Sequence, residues 1–548
     1  MKYLLGLVVI VAVHGCATYG GATEEAVAAV RAEAYDQAET EFAKVLPAQG
    51  KNALLHFLEL GMVKHLDGQY EASNDLLEQA YQLADYLYAD GTWQNVAVAL
   101  SNPTVSTYHG AEYERAAINI IKALNYLSLA ETTSAGSERL QRLDDAAVEI
   151  RRLNILLRRL ETELGDYQQA RDESETPAAR IAQVLRTLTG NWNDPASLRY
   201  RSDAWGYYLS GLAYEMAGQW DDARIAFDDA LRTYQDGAVE QYDLDPAMIE
   251  LSKQASASAE SRAEHKTVSD QGDVVVVQLV DLMPRKGEMN LYVHLQEYGQ
   301  LMEIQPVLLG SSENQRDQAA WFLMQYGDLG FTDILGRYLS GGIIQVVDDF
   351  AFAKKVPLFP VWDLVQQTEL DKALAGGIRV AVPYYPSLEM THNSSTRITL
   401  AGTPDLDKPM LLASSPARVA LQQQLLDANR ELRAAIGREL LKAILSYQVS
   451  NQFSEENDTL GFLAAAAGKV ASTVSARADT RAWLTLPKEI RMQRLSLPPG
   501  HHELTLTTHW DDGGFEQTQS LSVDVEAGTT QVVSIATINP HPEQEIAY

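Results

Sequence analysis

The chain has 548 residues, of which 46% are hydrophobic, so it is long enough for about three domains and too apolar for wholesale disorder. Its 44 basic and 74 acidic residues leave a net charge of −30, which excludes a nucleic-acid footprint and opposes unaided contact with anionic lipid headgroups. An acidic proteome, as in a marine or salt-exposed organism, accounts for the charge more simply than a charge-specific partner. The single cysteine excludes any disulfide within the chain, so stability must come from packed cores.

In chain order, Lys2 is followed by the apolar run Tyr3–Val13 and then by His14-Gly15-Cys16-Ala17. The run is shorter than the about 20 residues of a membrane span and has the length of a signal-peptide core. The layout resembles a bacterial lipoprotein signal, with His14 standing where a small residue is usual. That resemblance implies removal of residues 1–15, lipidation of Cys16, and a short tether over 16–22. Ala17, in place of the Asp that retains lipoproteins in the inner membrane, implies the outer membrane of a Gram-negative bacterium, facing the periplasm. A plain secretory signal with an incidental cysteine, or an uncleaved anchor, is the alternative.

Residues 23–251 are rich in Ala, Leu, Glu, Gln and Arg at helical spacing, with few prolines. Tyr207, Gly211, Tyr214, Trp220, Ala223, Phe227 and Ala230 stand at the small and large positions of a tetratricopeptide repeat (TPR), which they resemble. Gly211 and Ala223 allow two antiparallel helices to approach, and Tyr214, Trp220 and Phe227 fill the space between them. A second copy contains Phe57, Gly61, Tyr70, Ser73, Leu77 and Ala80, and a partial one Tyr35, Ala38, Phe42 and Val45. Tyr35 to Tyr70, Ala38 to Ser73 and Phe42 to Leu77 are each 35 apart. The stretches Tyr113–Leu127 and Ala146–Arg159 continue the stack as long, divergent helices. Asn102-Pro103 and Asn191–Pro195 mark breaks.

Residues 252–272 form a helix end running into a linker, and an α+β region follows over 273–480. The β-branched run Asp273–Val280 predicts a buried strand and Pro284–Gly287 a turn. Further strands are expected at Ile343–Val347, Ile378–Pro383 and Arg397–Ala401. Helices are expected at Gln315–Tyr326 and Ser415–Tyr447, with close packing in the Ala-rich stretch Leu460–Ser475. Residues 481–538 alternate with period two around the turns Leu497–Gly500, Asp511–Gly514 and Gly528, which predicts a small antiparallel sandwich before a tail at 539–548. The module resembles short β-units appended to bacterial envelope proteins. The fold class is therefore multidomain: an N-terminal α-helical TPR-like solenoid, a central α+β region and a C-terminal β-sandwich-like module.

The blocks Lys122–Leu127, Val148–Arg152, Gly211–Ala230, Leu282–Lys286 and Asp479–Pro487 together resemble a family of bacterial TPR-repeat-containing envelope lipoproteins. The resemblance spans nearly the whole chain after the signal. It implies no activity, and points only to cell-envelope or peptidoglycan assembly as a setting.

No HExxH, GxSxG, Walker loop or GxGxxG occurs, so the chain is read as a non-enzyme that needs no cofactor and no metal. His501 and His502 would point to opposite faces of a strand, as surface histidines do. Asp348-Asp349 has no matching base or nucleophile nearby. Arg151, Arg158 and Arg159 share roughly one side of a helix. They either clamp a carboxylate of a partner or pair with Glu149, Glu161 and Glu163 on their own helix. Asp479 and Arg481 form a candidate structural pair near Trp483.

The expected function is that of a membrane-tethered periplasmic scaffold that binds a protein partner of the envelope through its TPR-like surface. The alternative is an envelope enzyme or a binder of glycan such as peptidoglycan, with its site in the central region. There Trp321, Trp362, Tyr384 and Tyr385 either stack on sugars or fill the core.

Overall fold

A computed structural model describes residues 18–89, 106–133, 136–165, 203–264, 269–296, 300–326, 353–359, 362–367, 370–374, 376–387, 390–391, 393–400, 403–456, 476–511 and 514–540. Cys16, Asn102-Pro103, Asn191–Pro195, Ile343–Val347, Asp348-Asp349 and Leu460–Ser475 lie outside the described residues, as does the signal segment.

The protein is a multidomain α+β structure of packed helices and small, mainly antiparallel sheets. Its helical part comprises α1 (Glu24–Arg31), α2 (Tyr35–Val45), α3 (Ala53–Leu66), α4 (Tyr70–Ala89), α5 (Glu112–Thr132), α6 (Gly136–Gly165), α7 (Ala204–Met216), α8 (Trp220–Thr233) and α9 (Ala247–Ala263). Small residues set how closely these helices approach. A Cβ on Gly211 would lie 2.4 Å from the Phe227 ring, and one on Gly61 would lie 2.7 Å from Leu77. Ala80, Tyr207, Tyr214, Ala223, Phe227 and Ala230 are buried with them. Phe57, Tyr70 and Trp220 are only half-buried. Trp220, the first residue of α8, lies beneath Arg262 of α9, 5.4 Å from the ring centroid, rather than filling the space between α7 and α8. That space is filled by Tyr208, whose ring is 5.1 Å from Phe227 and is stacked on Trp205 at 6.0 Å.

Twelve strands form three four-stranded sheets among the described residues. The first has β1 (Gly272–Leu282) between β12 (Thr530–Thr537), which is parallel to it, and β9 (Pro487–Leu497), with β8 (Leu411–Ser414) at the edge. The second has the order β11 (Phe515–Val525), β10 (Gly500–Trp510), β6 (Ser394–Leu400), β7 (Thr403–Pro409). These two enclose a core of Val274, Val276, Ile398, Met410, Leu495, Leu497, Leu504, Leu506, Val523 and Val525. Both sheets therefore cross the expected boundary at 480. Strands β1 and β8 pair with β9, and β6 pairs with β10 as well as with β7, so strands from both sides of that boundary share each sheet.

The apolar run of β1 has a physical cause. Val274 and Val276 face the second sheet, while Val275, Val277 and Leu279 join the core shared with the helices. A strand covered on both faces needs no polar alternation. Gln278, fully buried on the sandwich side, donates to Thr508 Oγ1 (3.0 Å) and Thr537 Oγ1 (2.8 Å).

The third sheet runs β4 (Lys354–Pro357), β3 (Leu301–Val307), β2 (Gly287–Gln296), β5 (Ile378–Tyr384). It packs with α10 (Ser312–Tyr326) and the long α11 (Pro416–Glu456). The segment expected as a linker begins within α9, which extends to Ala263, and β1 starts at Gly272. Tyr19, in the expected tether, sits in a single helical turn, and its hydroxyl donates to Glu59 Oε1 at 2.9 Å.

Candidate functional site

Three helices each present one stripe to a common cleft of about 120 Å³. Tyr81, Ala84 and Asp85 come from α4, with Tyr88 one turn on beneath two of the arginines; Arg115, Ile118 and Asn119 come from α5; and Arg152, Ile155, Leu156 and Arg159 from α6. Within each helix the residues recur at the three- and four-residue spacings that keep side chains on one face. The convergence is thus written into each helix separately.

The guanidinium carbons of Arg115 and Arg159 lie 4.3 and 4.4 Å from the centroid of Tyr88, and that of Arg152 lies 4.5 Å from Tyr81. Stacking of this kind holds a guanidinium by one face and leaves its N–H groups in plane for other partners. Behind the cleft runs an ion-pair ladder. Lys122 Nζ donates to Glu149 Oε1 at 2.9 Å and also to Glu78. Arg152 donates to Glu78 Oε2 (2.8 Å) and Glu149 Oε1 (3.1 Å). Desolvation acts to raise the Glu78 pKa, but the hydrogen bonds from Lys122 and Arg152 override it and bring the carboxyl down to about 2. Glu78 is therefore ionised throughout the physiological range, and the ladder ties α4, α5 and α6 together. Arg115 has two longer ion pairs, to Glu112 at 3.3 Å and to the exposed Asp85 at 3.7 Å.

The three arginines singled out by sequence are split. Arg159 enters the cleft. Arg151 and Arg158 are exposed elsewhere on α6, and Arg158 pairs with Asp229 of α8 at 3.7 Å. Arg152, rather than any of the three, makes the pairing with Glu149. Arg115, Arg152, Tyr81, Tyr88 and Asn119 were not among the expected site residues. The legible signal was that Arg152 and Arg159 are seven apart, two helical turns on one face.

A second polar cluster fastens the 479–486 segment to the helices. Buried Glu59 accepts from the backbone N–H of Leu484 (2.9 Å) and Thr485 (3.0 Å) and from Thr485 Oγ1 (2.7 Å). Glu114 accepts from the N–H of Trp483 (2.8 Å) and Ala111 (2.8 Å) and from the Tyr108 hydroxyl (2.6 Å). Arg481 makes a two-point contact with Asp479, at 2.8 and 2.7 Å, and reaches Asn52 Oδ1 at 3.0 Å. Every donor here meets an acceptor of the same chain, which is the arrangement of a structural junction.

Other sequence candidates have structural places. Trp321, Tyr384 and Tyr385 are fully buried, and Trp321 packs 6.3 Å from Tyr384, so these three rings have no face to offer a sugar. His501 is exposed, with Nδ1 2.9 Å from Asp524 and Nε2 3.1 Å from Glu503, while His502 turns to the carbonyl of Pro498 at 2.7 Å. No group of three or more potential metal ligands occurs among the described residues. No helix among them is long and apolar enough to cross a membrane. No family model, curated protein or solved structure matches the chain.

Proposed function

We propose that the protein is an adaptor of the bacterial cell envelope, tethered to the outer membrane through a lipidated Cys16 and engaging a protein partner in the periplasm with its helical surface. The helical region is read as a TPR-like stack, in line with the close packing of Gly61 on Leu77 and of Gly211 on Phe227. Such stacks expose grooves between successive hairpins, and grooves of that kind receive peptides or partner helices.

The observation that carries the reading is the cleft between α4, α5 and α6. On a chain of net charge −30, three arginines and two tyrosines converge on one open depression. Arginine and tyrosine, with tryptophan, are enriched at the energetic centres of protein interfaces.

The test is a photo-crosslinking amino acid at Ile155, which is 71% exposed at the cleft wall. Irradiation of intact cells should yield a discrete protein adduct. An adduct-free protein that is still correctly localised, at this position and at exposed Leu140 on the same helix, would count against an adaptor role.

A further inference from the structure

We propose that the cleft between α4, α5 and α6 is a recognition site for an acidic side chain, glutamate or aspartate, presented within an extended segment of the partner protein. This rests on the adaptor reading and specifies what the partner must offer. The first observation is the donor set. Arg115, Arg152 and Arg159 line one 120 Å³ depression with their planes supported on Tyr88 and Tyr81. A guanidinium carries in-plane N–H pairs that match a carboxylate at two points. Arg152 Nη1 is held by Glu78 and Glu149, so the ligand contact falls to Arg115 and Arg159. The long contacts of Arg115, 3.3 and 3.7 Å, are replaceable by a better-placed carboxylate, and Asp85, 63% exposed, is free to swing into water when displaced.

The second observation is independent of charge. Asn119 lines the same depression, is 1% exposed, and its Nδ2 donates to the Arg115 carbonyl at 3.3 Å, while its Oδ1 accepts no hydrogen bond. A buried acceptor with no donor carries an uncompensated desolvation cost, and a ligand N–H removes it. A residue within a peptide supplies a side-chain carboxylate and a backbone N–H a few ångströms apart. Ile118, Leu156 and Ile155 add an apolar wall that accommodates an aliphatic neighbour on the bound segment. The depression is open to solvent, and about 120 Å³ is enough for one acidic side chain.

The probe is the end-blocked hexapeptide acetyl-Ala-Ala-Ile-Glu-Ala-Ala-amide, compared with its glutamine counterpart and with a glutamine peptide bearing a free terminal carboxylate. Saturation-transfer NMR with the full-length protein should show binding of the blocked glutamate peptide at least tenfold stronger than of the other two, weakening as salt is raised. Arg159→Gln and Asn119→Asp should each reduce that binding at least tenfold. Asn119→Asp is isosteric and meets the incoming carboxylate with a like charge. Thermal melts of both variants establish that they fold, and Ile155→Asp, at an exposed position, repeats the charge test without touching the ladder. Equal binding of the glutamate and glutamine peptides, or preference for the free terminal carboxylate, would overturn the assignment. A crosslinked partner at Ile155 that persists in folded Arg159→Gln and Asn119→Asp variants would also overturn it, while leaving the adaptor role standing.

Discussion

Glu59 and Thr485, 426 positions apart in sequence, are joined twice: the Thr485 backbone N–H and its hydroxyl both donate to Glu59 Oε2, at 3.0 and 2.7 Å. This fully buried carboxylate fastens α3 to the segment leading into β9, and its energetics depend on pH. Burial pushes its pKa from 4.5 up to about 7, against the pull of the hydrogen bonds from Leu484, Thr485 and Tyr19. The folded state thus holds this proton more tightly than the unfolded chain. The contribution is full below pH 4.5 and declines as pH rises through 7, by about 3 kcal/mol at 1.36 kcal/mol per pKa unit. In Glu59→Gln the side chain no longer titrates. Its amide also faces N–H donors, so the variant should be less stable than wild type at pH 5, with the gap narrowing by pH 8. Urea unfolding at both pH values measures this, and a gap independent of pH would refute the coupling.

The contact of Gly211 with Phe227 leaves no room for a methyl group, since the added carbon would stand 2.4 Å from the ring. Gly211→Ala should cost about 1–3 kcal/mol by overpacking. Phe227→Leu should recover part of that loss in the double variant, a coupling that a double-mutant cycle in denaturant resolves. Strict additivity of the two substitutions would mean that the helices part without strain.

Arg494 in β9 links the sandwich to the helices. It donates to Glu215 of α7 at 3.0 and 2.5 Å and to Asp273 of β1 at 2.6 Å. Glu215 is buried, with Thr530 Oγ1 as a further donor at 2.7 Å. Arg494→Met leaves that carboxylate without its cation and should lower stability by about 3–5 kcal/mol. The joint substitution Arg494→Met with Glu215→Gln should be milder than the single one, as judged by equilibrium unfolding.

The proposed tether has a direct readout. Cys16→Ser should abolish labelling with radioactive palmitate and move the protein from the membrane to the soluble fraction, because each buried CH₂ of an acyl chain contributes about 0.8 kcal/mol of anchoring. Retention and labelling of the variant would refute lipidation at this position.

Much of the local structure was legible. The 3.6-residue spacing of apolar positions marked α3, α4, α7 and α8, and the run Val274–Val280 announced a strand covered on both faces. Strands β2 and β3 were not legible. Met289-Asn290-Leu291 mixes polar and apolar residues where Asn290 is buried against Arg379, whose Nε donates to it at 2.8 Å, and Pro306 interrupts the pattern of β3. The cleft was half legible: Arg159 was expected at a binding surface, but Tyr88 and Arg115 lie on other helices, and a single helix's periodicity says nothing about which neighbour it will face.

The amino-acid sequence by itself determined which segments coil and which extend, because side-chain spacing along one element decides which of its faces can leave water. It also determined where glycine must sit, as at Gly211 and Gly61. Only the tertiary structure decided that β1 lies between β9 and β12, and that β10 pairs with β6. It likewise decided that Arg115, Arg152 and Arg159 meet over two tyrosines of a third helix. Hydrophobic burial is non-directional, so a face that must be covered does not name its cover. The choice falls to the combined fit of all the elements, here made specific by buried pairs such as Glu59 with Thr485 and Arg494 with Glu215.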